Sequence, residues 1–448
     1  MTGFGLLFLV LASLCVLTLP PRGALVSLIV GTVYLTKGAG AEIGGMMLHP
    51  HRILMLMAVL RMLARGELSG IRLQGVDKLV LASMGWLIFA NLFHEQEPGS
   101  GIVFTAGVAF EALASYFLIR AWCRGFEDVQ ILAGSLAIVF VPMALSMFAE
   151  KSLLTNPMGL LGGGDWVNIR EGIVRSRGTF THAILAGSIA AACFPLMISI
   201  WKSNKMLSVV GMSTTLSMVI TCHSSGPLVS LMITGVIVIG WRLRHHTRKL
   251  VWLAIIGYIV IDLISNRPGY HAIVTRLDLT GSSTAYYRCL MIDTAIEHFN
   301  EWWLVGTDRT SHWIQSGVGS IIGEGKHMDI TNMYIATGVN GGFISTLFLF
   351  GIIVLSIKNV VVLATDEDMV PLKHERFSTW CLGAAIGSMA ISGLSVAFFD
   401  QSGAFIWYFA AFISSSFQGF ATNVQDAVQD LDFANEDAVP DRRLCNSV

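Results

Sequence analysis

Apolar residues run along this chain in continuous blocks, not in alternation with polar ones. The blocks fall at 3–19, 24–37, 43–63, 77–93, 101–121, 129–148, 181–201, 206–221, 225–241, 250–265, 333–357, 378–398 and 402–417. Most approach the ~20 residues a helix needs to cross a bilayer core of ~30 Å. Continuous runs read as helices and exclude a closed barrel, whose strands alternate. The pattern predicts an all-α, polytopic transmembrane bundle of about 12–13 spans over residues 1–417. The first two blocks are short enough to suit a re-entrant hairpin. The third is interrupted by His49-Pro50-His51-Arg52. The opening MTGFGLLFLVLASLCVLTLP lacks a basic n-region and a small-residue cleavage site, so it reads as a retained first span.

Composition agrees with this pattern. Hydrophobic residues make up 54% and charged residues 13%, against roughly 25% charged in a soluble domain. The net charge of -1 gives no bulk signal toward nucleic acid or any other partner. The seven cysteines are scattered and show no zinc spacing. Cys222 and Cys289 fall on one predicted side, where two unpaired thiols are the simpler reading.

Short basic connections set the orientation. Arg61, Arg65, Arg72 and Lys78 share one connection, and Arg120 and Arg124 another. Lys202 and Lys205, then Arg242, Arg244, Arg248 and Lys249, and then Lys358, Lys373 and Arg376 follow at alternate connections. Placing this set in the cytoplasm satisfies all of them. The acidic segment 418–448 is then a cytoplasmic tail, expected to be disordered. Two long segments are left outside, about 149–180 and about 266–332.

These outer loops carry nine of the 29 Lys and Arg residues: Lys151, Arg170, Arg175, Arg177, Arg267, Arg276, Arg288, Arg309 and Lys326. Any one of them could snorkel to lipid headgroups. Several focused on one cleft point instead to a bound anion, since guanidinium is the preferred bidentate partner of phosphate and carboxylate. At this interface the expected anion is the pyrophosphate of a lipid-linked donor. Arg288 lies in AYYRCLMIDTAIEHFNEWW, which predicts a short amphipathic helix on or in the membrane. No Walker A loop, HExxH or GxSxG is present, and Gly162-Gly163-Gly164 reads as a flexible loop.

The segment RSRGTFTHAILAG (175–187) resembles the loop-to-span junction of the O-antigen ligase and O-antigen polymerase superfamily. The polymerase pattern separates an arginine from a glycine by ten residues. Here nine separate Arg177 from Gly187 and eleven separate Arg175 from it. YFLIRAWCRGFEDVQ (116–130), CHSSGPLVSL (222–231), RLDLTGSSTAYYR (276–288) and MDITNMYIATGVNGGFISTLFLF (328–350) resemble the family's later landmarks in order. The ligase histidine motif is broken, because Met328 follows His327; the DITNxY form at 329–334 is closer to the polymerases.

The resemblance implies a fold of the GT-C kind in the bacterial inner membrane, with its active site on the periplasmic side. It implies a polysaccharide polymerase, acting by inverting glycosyl transfer without metal or cofactor. The donor would be an undecaprenyl-pyrophosphate-linked oligosaccharide and the acceptor a glycan hydroxyl. Membrane lipids and a chain-length regulator or export machinery would be further partners. Arg177 and Arg288 would hold the pyrophosphate, supported by Arg276 and Arg175. Asp329 or His327 would be the base, and Asn332, Tyr334 and His182 would orient the acceptor. Bland readings stand beside these: Asp329 as a helix cap, His182 as a helix-end polar residue, and Trp302, Trp303 and Trp313 as interfacial anchors. Glu111 and Asp262 are expected to face the bundle interior, Asp262 pairing with a loop arginine. The alternatives are an O-antigen ligase acting on lipid A core and, from another class, a transporter of a lipid-linked anion.

Overall fold

The computed structural model describes residues 2–43, 46–94, 100–266, 268–271, 284–313 and 329–437. It is an all-α bundle. The described helices are α1 (Gly3–Thr18), α2 (Pro21–Tyr34), α3 (Pro50–Ala64), α4 (Gly75–Asn91), α5 (Ser100–Trp122), α6 (Phe126–Leu153), α7 (Ala183–Ser199) and α8 (Lys205–Thr221). They continue with α9 (Ser225–Ile239), α10 (Thr247–Ile264), α11 (Thr284–Glu297), α12 (Phe299–Trp302), α13 (Met333–Thr365), α14 (Lys373–Ser392) and α15 (Ala404–Asp437). Each apolar block of the sequence contains one helix. Among the described residues, five helical segments are long and apolar enough to cross a membrane: Gly101–Trp122, Phe126–Leu153, Ser225–Ile264, Met333–Thr365 and Asp400–Ala421.

Side-chain placement fits an apolar surrounding. Phe4, Leu7, Leu11 and Leu14 line an exposed face of α1, and α10 buries no residue at all. Such faces would be costly in water and are compatible with contact to hydrocarbon. The interior is organised around α7, which is buried along nearly its whole length. Its small residues allow close helix approach. A Cβ at Gly187 would lie 2.4 Å from Cys222 Sγ and 2.9 Å from Pro227 Cβ. The glycine of the RSRGTFTHAILAG segment is therefore where α7 meets the turn between α8 and α9.

Polar contacts put the helix ends in two groups. Thr2 Oγ1 donates to Leu160 O (2.5 Å), so the first helix begins beside the 149–180 loop. Arg22 pairs with Glu127 and Asp128 at the start of α6 (2.6 and 2.9 Å). Near that same end, Arg120 and Asp77 form a buried pair at 2.9 Å. The end carrying the long loops is called the loop end below.

Several expectations are corrected. The third helix starts at Pro50, not near 43, because proline suits the first helical position and lacks the N–H a longer helix would need. The preceding residues form a hairpin, β1 (Ala41–Ile43) against β2 (Met46–Leu48). The last helix does not stop at Phe417 but runs on to Asp437, through most of the expected irregular tail. Asp262 accepts from Gly269 N (2.6 Å); Arg267 and Arg276, the next loop arginines in the chain, lie outside the described residues. Glu111 faces inward as expected and pairs with Arg52.

α13 is two helices joined at a break. Gly341 and Gly342 leave helical geometry, with φ of +78° at Gly342. Three carbonyls at the break find partners: Thr307 N donates to Val339 O (2.8 Å), Asn91 Nδ2 to Asn340 O (2.9 Å) and Trp86 Nε1 to Gly341 O (2.8 Å). Broken helices survive in a bilayer only where the protein re-satisfies the backbone in this way.

Candidate active site

The first loop is built to present Arg175. Its hairpin pairs β3 (Asn168–Arg170) with β4 (Ile173–Arg175). Glu171 and Gly172 make the turn, both at positive φ (54° and 77°). Two central residues at positive φ give the primed turn that matches strand twist. The next residue, Ser176, donates its N–H to Thr221 O (3.2 Å), which fastens the hairpin to the end of α8. Arg175 is half-buried there. Its Nε is buried, and it has no hydrogen-bond or ion-pair partner among the described residues. Burial lowers its pKa, and the neighbouring Cys222 thiol acts against that shift.

Arg177, two residues on, has a different fate. It is 2% exposed. Its guanidinium donates to Phe180 O (3.2 Å), Gly163 O (3.0 Å) and Gly164 O (3.0 Å), and lies 3.8 Å from the Trp166 ring. Its backbone N–H donates to Glu150 Oε2 (3.0 Å). Arg177 is thus enclosed by the glycine loop it organises. This corrects one expectation, since the 162–164 segment is held in place; Arg177 spends its two terminal nitrogens on backbone carbonyls, while its buried Nε has no hydrogen-bond partner among the described residues.

Arg288 approaches the same turn from the other side. It stands on α11, whose buried face (Tyr287, Met291, Ala295) packs with Trp302, Trp313 and Val339. The predicted amphipathic helix exists, but its apolar face meets protein. Arg288 Nη2 lies 3.9 Å from the position a Cβ on Gly226 would take. Ser395 Oγ and Ile184 Cδ1 are at 3.4 and 3.7 Å from that position. Arg175 and Arg288 therefore address the two ends of the Cys222–Gly226 turn, which starts α9. The cap residue Ser224 makes no side-chain bond to the first turn. The helix start keeps its partial positive charge, the ordinary setting for an anion.

Asp329 is exposed. Tyr287 OH donates to its backbone carbonyl (2.7 Å), which ties it to the residue beside Arg288. Burial pushes the Tyr287 hydroxyl up to about 12, with the Asp329 charge adding to the shift. Asp329 is not the helix cap. That role falls to Asn332, whose Oδ1 accepts from Tyr334 N (2.9 Å) and Ile335 N (3.1 Å) and whose Nδ2 donates to Leu394 O (3.1 Å). Tyr334 OH donates to Ala390 O (2.9 Å). Asn332 and Tyr334 are therefore engaged with their own helix and with the α14 end. Arg276 and His327 lie outside the described residues.

His182 caps α7 by position and packs edge-on against Phe399 (5.5 Å). Next to it, Asp400 accepts from Thr181 N (2.9 Å) and Ser402 N (2.7 Å) at a positive φ of 57°. Phe399 and Asp400 also line a cavity of about 290 Å³ that reaches Lys37, Arg52, Glu111, Thr337 and Asn340. Sequence reading missed Asp400, Arg52 and this cavity. Arg52 stood in a motif read only as a helix interruption, and Asp400 lies between two spans with no pattern to mark it.

No protein-family model matches the chain, and no curated protein is similar to it in sequence.

Proposed function

We propose that this protein is a membrane-embedded polysaccharide polymerase. It transfers an undecaprenyl-pyrophosphate-linked glycan to an acceptor sugar hydroxyl at the periplasmic face of a bacterial inner membrane. The observation that carries this reading is the start of α9, bracketed by Arg175 and Arg288 and left without a side-chain cap. A helix N-terminus between two guanidiniums is suited to a diphosphate, and it lies at the loop end.

In this mechanism the acceptor oxygen attacks the anomeric carbon from the face opposite the pyrophosphate. The carbon–oxygen bond to pyrophosphate breaks, its electron pair leaving with the carrier. Arg175, Arg288 and the first turn of α9 stabilise the charge that develops there. Asp329 takes the acceptor proton, a contribution of roughly 10²–10⁴-fold for a well-placed base. The cavity beside His182 and Asp400 receives the sugar. Arg177 acts at one remove, by holding the loop that carries the hairpin.

The test is synthesis by the purified protein from a lipid-linked repeat unit, resolved on a gel. A ladder supports polymerisation. One shifted acceptor band means ligation, and no product with an active donor preparation sinks the transferase reading.

A further inference from the structure

Among the described residues, His298, Glu301 and His312 bring their ligand atoms within 4.8 Å of one another. We infer that they form a binding site for one divalent transition-metal ion of the zinc class. His298 precedes α12 and Glu301 lies within it, three residues apart and on one face. His312 comes from the turn that follows. His298 Nδ1 is 2.7 Å from Glu301 Oε1, and His312 Nε2 is 2.9 Å from Glu301 Oε2. Tetrahedral zinc with bonds of about 2.0–2.1 Å holds neighbouring ligand atoms about 3.3 Å apart. The two histidine–carboxylate distances, 2.7 and 2.9 Å, are shorter than that spacing, and the three ligand atoms span no more than 4.8 Å, so binding needs the side chains to rearrange locally.

The donor set selects the ion. Two imidazole nitrogens and one carboxylate suit zinc and its neighbours, whereas calcium and magnesium need more oxygen. The surroundings hold the ligands in place. The Trp313 ring is parallel to His298 (5.5 Å between centroids, 1° between planes), and its Nε1 donates to Glu301 Oε2 (3.0 Å). The two imidazoles stand edge to face at 5.3 Å. Such outer partners are what orient the ligands of a metal site.

The ion fastens the 307–313 segment to α12. Its neighbour Trp302 packs against Gly338, and Trp303 O accepts from Phe343 N (2.8 Å), so the fastening acts on the break in α13. Arg288 is ten residues from His298, about 15 Å along a helix. The ion therefore does not share the proposed pyrophosphate site, and the inference stands whether or not the chain is a transferase.

The experiment uses full-length protein without a polyhistidine tag, purified in detergent, stripped with chelator and desalted. Zinc is titrated against a chromophoric competitor, and cobalt is read by its tetrahedral absorption. One equivalent per chain is expected. His312→Ala, at an exposed position, should weaken binding by about a hundredfold or more, and Trp313→Phe by about tenfold. Wild-type elution volume and unfolding temperature in chelator establish that each variant is folded. If His312→Ala fails that check, Glu301→Gln is read in its place. Absence of saturable binding by the wild type, or wild-type affinity in a folded ligand variant, overturns the site and leaves a hydrogen-bonded clasp.

Discussion

Arg175 and Arg177 are two residues apart, yet their replacement should have opposite consequences. Arg177→Met removes donors from four loop carbonyls and the cation stacked on Trp166. Hydrogen bonds to a charged group are worth about 1.5–3 kcal/mol each, and a desolvated cation–π contact about 2 kcal/mol. These share one guanidinium and do not add, and relief of its desolvation offsets part of the loss. A net loss of about 3–5 kcal/mol is expected, the range seen when one side of a buried charged assembly is removed. Arg175→Met removes a half-buried charge that has no partner among the described residues. It should stay within about 1 kcal/mol of wild type or exceed it, while polymer synthesis is lost. Tryptophan fluorescence during thermal unfolding in detergent measures the first effect, and gel-resolved product the second. Wild-type stability in Arg177→Met, or an equal loss in Arg175→Met, would refute this division of roles.

Three further outcomes follow from the packing. Gly342→Ala places a Cβ 1.9 Å from Leu304 O at a φ of +78°; a loss of about 3 kcal/mol or more is expected, with faster proteolysis near 303–307, because strain and a displaced segment combine. Asp77 accepts from Tyr116 OH (2.7 Å) and from Arg120 Nε (2.9 Å); Asp77→Asn strands the Arg120 charge and should cost about 3–5 kcal/mol in the same unfolding assay. Burial, then Lys37 and Arg52, lower the pKa of His49 to about 4 from 6.5. The unfolded chain therefore binds the extra proton between those values, so stability is full above pH 6.5 and falls as pH drops toward 4. His49→Gln should flatten that window.

The helices were legible because hydrocarbon demands long apolar runs, and nothing else in the chain mimics them. Boundaries went astray where a local rule overrode the run. Pro50 starts α3 late, and Gly341-Gly342 breaks α13 inside an unbroken apolar pattern. For the site, sequence pointed to the arginines but could not separate them. Arg175 and Arg177 have the same chemistry and nearly the same position, and only the fold shows which one the glycine loop encloses. Asp329 and Asn332 were similarly confused, since both residue types cap helices well. Arg52 and Asp400 left no trace because their meaning comes from residues far off in the chain.

The central claim is that Arg175 and Arg288 hold a leaving pyrophosphate. The most direct measurement counts undecaprenyl pyrophosphate released from a purified lipid-linked donor, per glycosidic bond formed, by wild type and by Arg288→Ala. One carrier released per bond by the wild type, and at least a hundredfold slower release by a folded Arg288→Ala, is the predicted result. Bond formation without carrier release, or wild-type rates in Arg288→Ala, would contradict it.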